Sequence, residues 1–224
     1  MRLSIVIPVH DEAAGITPRL AALTGLRRAG CEVIVVDGGS SDDTAERAAE
    51  LCDQLVVSSR GRAVQMNAGA ANARSDLLLF LHADTNLPPG ALAAIEAATR
   101  DKPIAWGRFD VVLASSHPML RVVSAMMNWR SRVTGVATGD QAMFMTRAAF
   151  DEAGGFPAIA LMEDVAMSKR LKRLAVPRCL RLAVTTSARR WETRGIVATI
   201  LLMWRLRLGY FLGATPESLA RLYR

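Results

Sequence analysis

Three short apolar segments, each followed at once by polar and acidic side chains, constrain the fold of this chain more than any other feature. The segments are Leu3–Ile7, Val33–Val36 and Leu77–Leu81. Continuous apolar runs of this length are typical of strands that are buried on both faces of a parallel sheet. Ligands bind at the edge where the carboxyl ends of such strands meet. We therefore expect an α/β fold with one shared polar site at that edge.

The side chains that follow the three segments indicate the chemistry of this site. The first segment continues into His10-Asp11-Glu12, the second into Asp37 and the third into His82-Ala83-Asp84. Carboxylate oxygens are hard ligands for divalent cations and also accept hydrogen bonds from hydroxyl groups. The sequence therefore predicts a site for a nucleotide and a metal ion.

The charge of the chain leaves several classes of partner open. Lys and Arg number 28 against 21 Asp and Glu, and the pI is near 10.1. A basic surface suits nucleic acid, an anionic membrane face or a substrate that carries phosphates. No RNA-recognition, helix-turn-helix or zinc-finger signature accompanies the charge. We therefore expect no nucleic-acid partner.

The cysteines and the first residues bear on localisation. Cys31, Cys52 and Cys179 are odd in number and widely spaced, which predicts reduced thiols and no zinc site. The N-terminus runs directly into a strand-like segment and lacks the pattern of a secretory leader. We expect a cytoplasmic protein, and peripheral contact with the inner face of the membrane stays open.

Strand and helix patterns alternate through residues 1–194 and predict one α/β domain, with helices flanking a mostly parallel central sheet. Thr17 is predicted to cap a helix that begins at Pro18, carries Leu26 on its apolar face and ends before Gly30. Residues 195–224 form an apolar and basic helical extension, whose uninterrupted apolar core is far shorter than the ~20 residues of a membrane span. This extension either packs on the domain, forms a homodimer interface or lies on a membrane surface.

Four motifs occur in a fixed order along the chain. They are Ile5-Val6-Ile7-Pro8-Val9-His10-Asp11-Glu12, Val35-Val36-Asp37-Gly38-Gly39-Ser40-Ser41-Asp42-Asp43-Thr44, Leu79-Phe80-Leu81-His82-Ala83-Asp84-Thr85 and Met162-Glu163-Asp164. Over about residues 3–194 the chain resembles family 2 glycosyltransferases, which have the GT-A fold. The compact length and residues 61–69 further resemble a small bacterial branch of single-domain members. The resemblance implies inverting transfer of a sugar from a UDP- or GDP-sugar to an acceptor hydroxyl, and a lipid-linked acceptor would fit the C-terminal extension.

The resemblance places the nucleoside pocket at the first two motifs. Pro8, His10 and Glu12 would line this pocket, Ala83 would lie beside the nucleotide, and Asp37 would accept hydrogen bonds from the base or ribose. Other interpretations of two of these residues stay open. Asp37 is also a common type of turn-forming or capping residue, and Glu12 also fits an exposed carboxylate near the start of a helix.

Asp84 is the expected ligand for Mn²⁺ or Mg²⁺, which would act as a Lewis acid on the leaving diphosphate. The chain departs from its relatives here, because His82-Ala83-Asp84 replaces the usual Asp-x-Asp. An imidazole ligand at His82 would suit Mn²⁺ better than Mg²⁺, whereas a packed histidine at a strand end is the alternative. Many relatives supply a late histidine ligand, but no histidine follows His117. Weak metal affinity is therefore expected.

Arginines could compensate for the lost carboxylate, because a guanidinium group matches phosphate geometry. Arg62 begins a predicted helix, and Arg189-Arg190-Trp191 partly resembles an element that closes over the diphosphate and acceptor in some relatives. Asp140 is expected to contact the donor sugar or the acceptor. Solvated arginines and a simple turn at Asp140 are the alternatives.

Asp164 is nominated as the general base, with Glu163 in support, from the place of this pair in the motif order. A positioned carboxylate typically contributes ~10²–10⁴ in rate. The alternative is that both residues only complement the positive end of a helix.

Two other functions would be compatible with the same fold. A non-catalytic nucleotide-sugar-binding protein, or a peripheral membrane scaffold, would keep the fold and lose the chemistry through the replacement at His82. A sugar nucleotidyltransferase would need a Gly-rich loop with a basic residue after the first strand, and Pro8-Val9-His10-Asp11-Glu12 contains no glycine. We therefore favour the transferase.

Overall fold

Eight strands form one sheet at the centre of the protein, for which a computed structural model describes residues 2–223. In chain order the strands are β1 (Ser4–Val9), β2 (Glu32–Asp37), β3 (Gln54–Val57), β4 (Leu77–Phe80), β5 (Thr85–Asn86), β6 (Trp106–Ala114), β7 (Met143–Thr146) and β8 (Arg178–Ser187). Across the sheet they follow the order β3-β2-β1-β4-β7-β6-β8-β5.

Helices flank this sheet and form the C-terminal part of the chain. In chain order they are α1 (Ile16–Ala21), α2 (Thr24–Arg28), α3 (Thr44–Ala49), α4 (Arg62–Asn72), α5 (Ala91–Thr99), α6 (Pro118–Thr134), α7 (Arg147–Glu152), α8 (Glu163–Leu174), α9 (Arg189–Arg194), α10 (Ile196–Phe211) and α11 (Pro216–Tyr223). A short 3₁₀ helix spans Gly139–Gln141 and precedes β7.

The three strands with acidic ends are neighbours. β1 lies between β2 and β4 and pairs in parallel with both, and β3 continues the parallel half beyond β2. The three carboxyl ends therefore meet at one edge of the sheet, and the α/β prediction is confirmed. The other half of the sheet is mixed, because β7 is antiparallel to β4 and β6, while β6 and β8 are parallel.

The antiparallel pairing of β7 brings a later part of the chain to the acidic edge. Phe80 at the end of β4 pairs with Met143 at the start of β7. The 3₁₀ helix before β7 therefore lies beside the residues that follow β4. β8 reaches the same region, since Thr186 pairs with Thr85 in β5.

Helix α4 fixes the carboxyl ends of β1 and β2. Gln65 is buried and its side-chain amide donates to the carbonyl oxygens of Val9 at 2.8 Å and Val36 at 2.9 Å. One turn later, Gly69 contacts the sheet so closely that a Cβ would overlap the side chains of Val6 and Val36. The absent side chain at this position therefore sets how near the helix approaches the strands.

One predicted helix differs from the structure. Thr17 lies inside α1 rather than at its cap, and the helix expected to continue through Leu26 is divided into α1 and α2. The Leu23 N–H donates to the carbonyl of Leu20 at 3.0 Å, only three residues back. This tightened turn interrupts the α-helical hydrogen-bond pattern.

The C-terminal helices α9, α10 and α11 pack back against the domain. Leu206 of α10 and Leu219 of α11 are buried in one apolar cluster with Met162, which directly precedes α8. Within residues 2–223, no helix combines the length and apolar character needed to cross a membrane. The boundary drawn after residue 194 stays a prediction.

Candidate active site

A cavity of about 500 Å³ opens at the acidic edge of the sheet. Its walls come from the ends of β1 and β4, the start of α8, and one side of α10. Twelve of the thirteen residues that the sequence assigned to the site line it: Pro8, His10, Glu12, Arg62, His82, Ala83, Asp84, Asp140, Glu163, Asp164, Arg190 and Trp191. The fold thus brings the motifs together, while the individual roles of these residues stay predictions.

Asp37 is the thirteenth, and it is absent from the described lining of the cavity. Its carboxylate accepts hydrogen bonds from the backbone N–H groups of Gly39 and Ser40, both at 3.0 Å, and from the Ser40 hydroxyl. Asp37 therefore closes the turn between β2 and α3, which is the alternative that the sequence left open. A contact between Asp37 and a base or ribose stays a prediction.

His10 follows β1 at the mouth of the cavity. Its Nε2 lies 3.2 Å from Oδ2 of Asp11, whereas its Nδ1 is buried without a hydrogen-bond partner among the described residues. Asp11 has a positive φ of 53°, and its Oδ1 accepts a hydrogen bond from the N–H of Ser41 at 2.8 Å. A buried nitrogen without a partner beside a cavity is a place where a ligand can supply the missing hydrogen bond.

Glu12 is half-buried close to two other charged groups of the site. Burial raises the pKa of Glu12, and the nearby carboxylate of Asp84 raises it further, against the opposing charge of Arg189. Its backbone N–H donates to the Thr44 hydroxyl at 2.8 Å, which ties the loop after β1 to the start of α3. Glu12 is therefore held by the loop, with its carboxyl group at the cavity wall.

His82 and Asp140 form a pair across the β4–β7 junction. The Nδ1 of His82 lies 3.3 Å from Oδ1 of Asp140, and a Cβ at Gly139 would overlap the imidazole ring. Burial would raise the pKa of Asp140, but the hydrogen bond from His82 and the charge of Arg62 lower it below its usual value. His82 thus has a carboxylate partner in this structure, and metal ligation by His82 stays a prediction.

Asp84, the predicted metal ligand, lies beside two threonine hydroxyls. Its Oδ1 accepts long hydrogen bonds, both 3.3 Å, from the hydroxyls of Thr85 and Thr186. No group of three or more His, Cys, Asp or Glu residues within positions 2–223 could hold a metal by itself. The carboxylate of Asp84 is a hard oxygen ligand, so the site fits Mn²⁺ or Mg²⁺ only together with oxygens from a substrate.

Glu163 and Asp164 begin α8 after Met162, which has a φ of 69°. Asp164 Oδ2 accepts the Gly139 N–H at 2.8 Å, and Oδ1 accepts the Val165 N–H at 2.7 Å. These bonds hold the carboxylate and join α8 to the 3₁₀ helix. Glu163 is only 5% exposed, and burial together with the adjacent carboxylate raises the pKa of Glu163.

Arg62 provides positive charge opposite these acids. It is the first residue of α4, where free backbone N–H groups also favour anions. Burial would lower the pKa of Arg62, but the phenol of Tyr223 and the carboxylate of Glu163 help to raise it. Much of its surface stays open to the solvent of the cavity, which screens these interactions.

The C-terminal helices supply residues that the motifs did not identify. Tyr223 and Arg207 both line the cavity, and the guanidinium of Arg190 lies 4.1 Å from the centre of the Tyr223 ring. Arg190 Nη1 is buried without a hydrogen-bond partner in the described part of the chain. The pattern of arginines among apolar residues was visible in the sequence, but it did not indicate which side of α10 faces the site.

A second arginine lies behind Arg207. Burial and the charges of Arg207 and Arg108 lower the pKa of Arg130 to about 10, with Asp164 acting in the opposite direction. Nε and Nη2 of Arg130 are buried and without partners among residues 2–223. Burial also lowers the pKa of Arg207. Arg207 lines the cavity, and Arg130 lies close to it; both interact electrostatically with Asp164.

The fold and the acidic edge define a GT-A type α/β protein, and the family follows from direct comparison. The family description "Glycosyl transferase family 2" matches residues 4–152, so the chain belongs to this family and the prediction is confirmed. An uncharacterized glycosyltransferase of Mycobacterium tuberculosis is 26% identical over 216 residues, which cover 91% of this chain and 97% of that protein. Undecaprenyl-phosphate 4-deoxy-4-formamido-L-arabinose transferase of Pseudomonas aeruginosa is 34% identical over 148 residues, which cover 60% of this chain but 41% of that enzyme.

Solved structures agree with this fold assignment. Mannosyltransferase PcManGT from Pyrobaculum calidifontis, in complex with GDP-Man and Mn²⁺, superposes with a TM-score of 0.66 at 18% identity, over 93% of this chain and 61% of that chain. Glucosyl-3-phosphoglycerate synthase from M. tuberculosis, in complex with Mn²⁺, UDP and glucosyl-3-phosphoglycerate, gives 0.58 at 18% identity, over 81% and 70% of the two chains. The predicted GT-A fold is confirmed.

Proposed function

We propose that this protein transfers a sugar from a nucleoside-diphosphate sugar to an acceptor hydroxyl, with inversion at the anomeric carbon. One observation carries the proposal: carboxylates at the ends of β1 and β4, the acidic start of α8 and several arginines all line a single cavity. A negatively charged leaving group and a hydroxyl that must lose a proton need this combination of cations and carboxylates.

The donor side of the cavity is the edge formed by β1 and β4. Solved relatives of the same fold are complexes with GDP-Man or with UDP, which supports a UDP- or GDP-sugar donor. His10, with an unpartnered buried Nδ1, and Glu12 would contact the nucleoside. Arg62 and Arg190 would bind the diphosphate, since guanidinium groups pair well with phosphate oxygens.

Asp84 would hold Mn²⁺ or Mg²⁺ together with the diphosphate oxygens. The bound cation would stabilise negative charge on the leaving diphosphate. Mn²⁺ in two of the related complexes supports this assignment. Because protein ligands are few, we expect the metal to bind tightly only when the nucleotide is present.

Asp164 would act as the general base, with Glu163 in support. As the acceptor oxygen attacks the anomeric carbon, its proton passes to the carboxylate, and the bond from carbon to the diphosphate breaks with its electron pair on the leaving oxygen. The backbone hydrogen bonds from Gly139 and Val165 would hold the base in position during this step. Attack from the face opposite the leaving group gives inversion.

The acceptor would lie between α8 and α10. Arg207 lines this side, with Arg130 close to it outside the described lining, and the two charges favour an acceptor that carries an anionic group such as phosphate. A relative that acts on undecaprenyl phosphate supports a lipid-linked acceptor.

Thermal unfolding in the presence of UDP, GDP and their sugars, with Mn²⁺, with Mg²⁺ or with chelator, tests the donor proposal. A ligand at ~100 times its Kd should stabilise the protein by about 2.7 kcal/mol. We expect one nucleotide to raise the Tm in a metal-dependent way, and NMR of the product to show an inverted anomeric centre. No shift with any nucleotide would contradict a nucleotide-sugar donor, and a retained anomer would contradict the mechanism.

A further inference from the structure

Helix α6 exposes a continuous apolar stripe. Its members recur every three or four residues, so they share one face of the helix. The stripe consists of Met119, Val122, Met126, Trp129 and Val133. The opposite face packs on the domain through Leu120 and Val123. The Trp129 side chain is 61% exposed, which is unusual for a side chain this large and apolar on a folded domain.

Helix α10 exposes a second stripe with the same spacing. It consists of Val197, Leu201, Trp204, Leu208 and Phe211. Trp204 is 66% exposed and Phe211 is 79% exposed, whereas Leu206 on the other side of the helix is fully buried. Large exposed apolar patches on a folded protein mark interaction sites.

The two stripes border the same junction between helices. Near their starts, Ile196 and Ile200 of α10 pack into the cluster that contains Leu120 and Val123 of α6. Seven residues beyond Val123 and Ile200, Arg130 and Arg207 are close enough for their charges to interact. The two helices therefore approach each other at these two places. We call the combined stripes the α6/α10 face.

The charges of both helices favour one kind of partner. Neither Pro118–Thr134 nor Ile196–Phe211 contains an Asp or Glu residue. Two of their arginines, Arg121 and Arg205, are exposed and have no acidic partner among residues 2–223. The other three are engaged elsewhere: Arg132 pairs with Asp110, Arg207 lines the cavity and Arg130 is partly buried beside it. A second copy of the chain would bring arginines against arginines. An anionic membrane offers phosphate groups to Arg121 and Arg205 and acyl chains to the apolar stripes. We propose that the α6/α10 face docks the protein on an anionic lipid surface, with both helices lying in the plane of the membrane.

Docking would also orient the cavity. Met203, Leu206 and Arg207 line the cavity from the side of α10 that faces away from its exposed stripe. The acceptor side would therefore lie within one helix diameter of the lipid, ~10 Å, where a lipid-linked acceptor is held. Docking is a property of the surface alone and can be measured without donor or acceptor, so its failure is distinguishable from failure of the proposed transfer.

Flotation of the full chain with phosphatidylcholine vesicles, with and without phosphatidylglycerol, tests this proposal. We expect binding at least ~10-fold stronger with phosphatidylglycerol, decreasing with added salt because the arginine contribution is screened. The double variant W204E/F211E should lose at least ~10-fold in partitioning. The control variant V57E/V176E adds the same charges outside the α6/α10 face. Val57 and Val176 are 74% and 85% exposed, and this variant should bind like the parent.

Tryptophan fluorescence gives a second readout. Brominated lipids should quench Trp129 and Trp204, measured in variants that keep one of the two, but not Trp106, which is fully buried. Equal binding to neutral and anionic vesicles, or equal loss in both double variants, would overturn the proposal. So would a concentration-dependent dimer of the parent without vesicles that W204E/F211E abolishes, because the face would then join two copies. The Tm of each variant confirms that it is folded.

Discussion

The two walls of the cavity are built differently. On the wall formed by strand ends and the start of α8, Asp164 bonds to Gly139 and His82 pairs with Asp140, whereas His10 Nδ1 has no partner among the described residues. On the wall formed by the C-terminal helices, Arg190 Nη1 is buried without a partner among the described residues, and the Arg190 guanidinium stacks on Tyr223. The proposed base and the His82–Asp140 pair are thus held by the protein, whereas the second wall, like His10, has unused hydrogen-bonding capacity that a ligand can satisfy.

This difference leads to a division of roles. Groups that must be in place before reaction, such as a base or a metal ligand, belong on the first wall. Groups that only recognise an anion can lie on the C-terminal wall without partners and form their hydrogen bonds when the substrate binds. Substitutions on the first wall should therefore change chemistry most, and those on the second should change binding. The following variants test that separation in order of expected effect.

Asp164→Asn should produce the largest loss. Removing the carboxylate that takes the acceptor proton should lower kcat by ~10²–10⁴, while the amide keeps an oxygen for the Gly139 N–H and so preserves the loop. Single-turnover transfer and nucleotide titration measure the two properties separately. Asp43→Asn, which changes an exposed carboxylate that pairs with Arg47, is the matched control. A variant that binds nucleotide poorly but still transfers sugar would reverse the assignment.

Much of the first wall could be predicted from the sequence. Parallel strands bring their ends together by geometry, so local motifs such as Ile5–Glu12 and Leu79–Thr85 were enough to place the acidic residues. The pairing of His82 with Asp140 depends on the antiparallel register of β4 and β7, a long-range contact without a local signal. Asp37 shows that a local motif can also be ambiguous. An aspartate at a strand end can either close a turn or contact a ligand, and the structure shows that it closes the turn.

The second wall could not be predicted in the same way. Residues 195–224 have a clear apolar pattern, but a helix with large side chains all around gives no direction to its buried face. Packing of Leu206 against Met162 decides that direction, and it brings Arg207 to the cavity. The sequence therefore predicted the helix, but which of its faces lines the cavity depends on tertiary contacts.

Asp84→Asn should have the next largest effect, a weakening of nucleotide binding that appears only when metal is present. Loss of the carboxylate should weaken nucleotide binding at least ~10-fold with Mn²⁺ present, because the variant can no longer hold the cation against the diphosphate. With chelator, parent and variant should bind nucleotide equally. Calorimetric titration under both conditions is the measurement. Equal binding in Mn²⁺ would show that Asp84 is not a ligand.

Arg190→Met tests the C-terminal wall. The substitution keeps an apolar contact with Tyr223 but removes the charge, and should weaken nucleoside-diphosphate binding by ~10-fold, since a hydrogen bond to a charged group contributes about 1.5–3 kcal/mol. The turnover of bound donor should change little. Arg181→Met, which removes an exposed arginine elsewhere, is the control. A large fall in kcat with unchanged binding would place Arg190 with the catalytic groups and remove the distinction between the walls.

Glu163→Gln should have the smallest effect, visible in the pH dependence of stability. Burial and the charge of Asp164 raise the pKa of Glu163 in the folded protein, so the unfolded chain releases this proton at lower pH than the folded one. As pH rises from about 4.5, the ordinary value, through the raised pKa, this group therefore destabilises the parent progressively. Glutamine cannot ionise, so the free energy of unfolding of the variant relative to the parent should increase across that window and then level off. Urea unfolding at several pH values measures this difference, and a constant difference from pH 4 to 8 would mean that the buried carboxyl group titrates normally on the first wall.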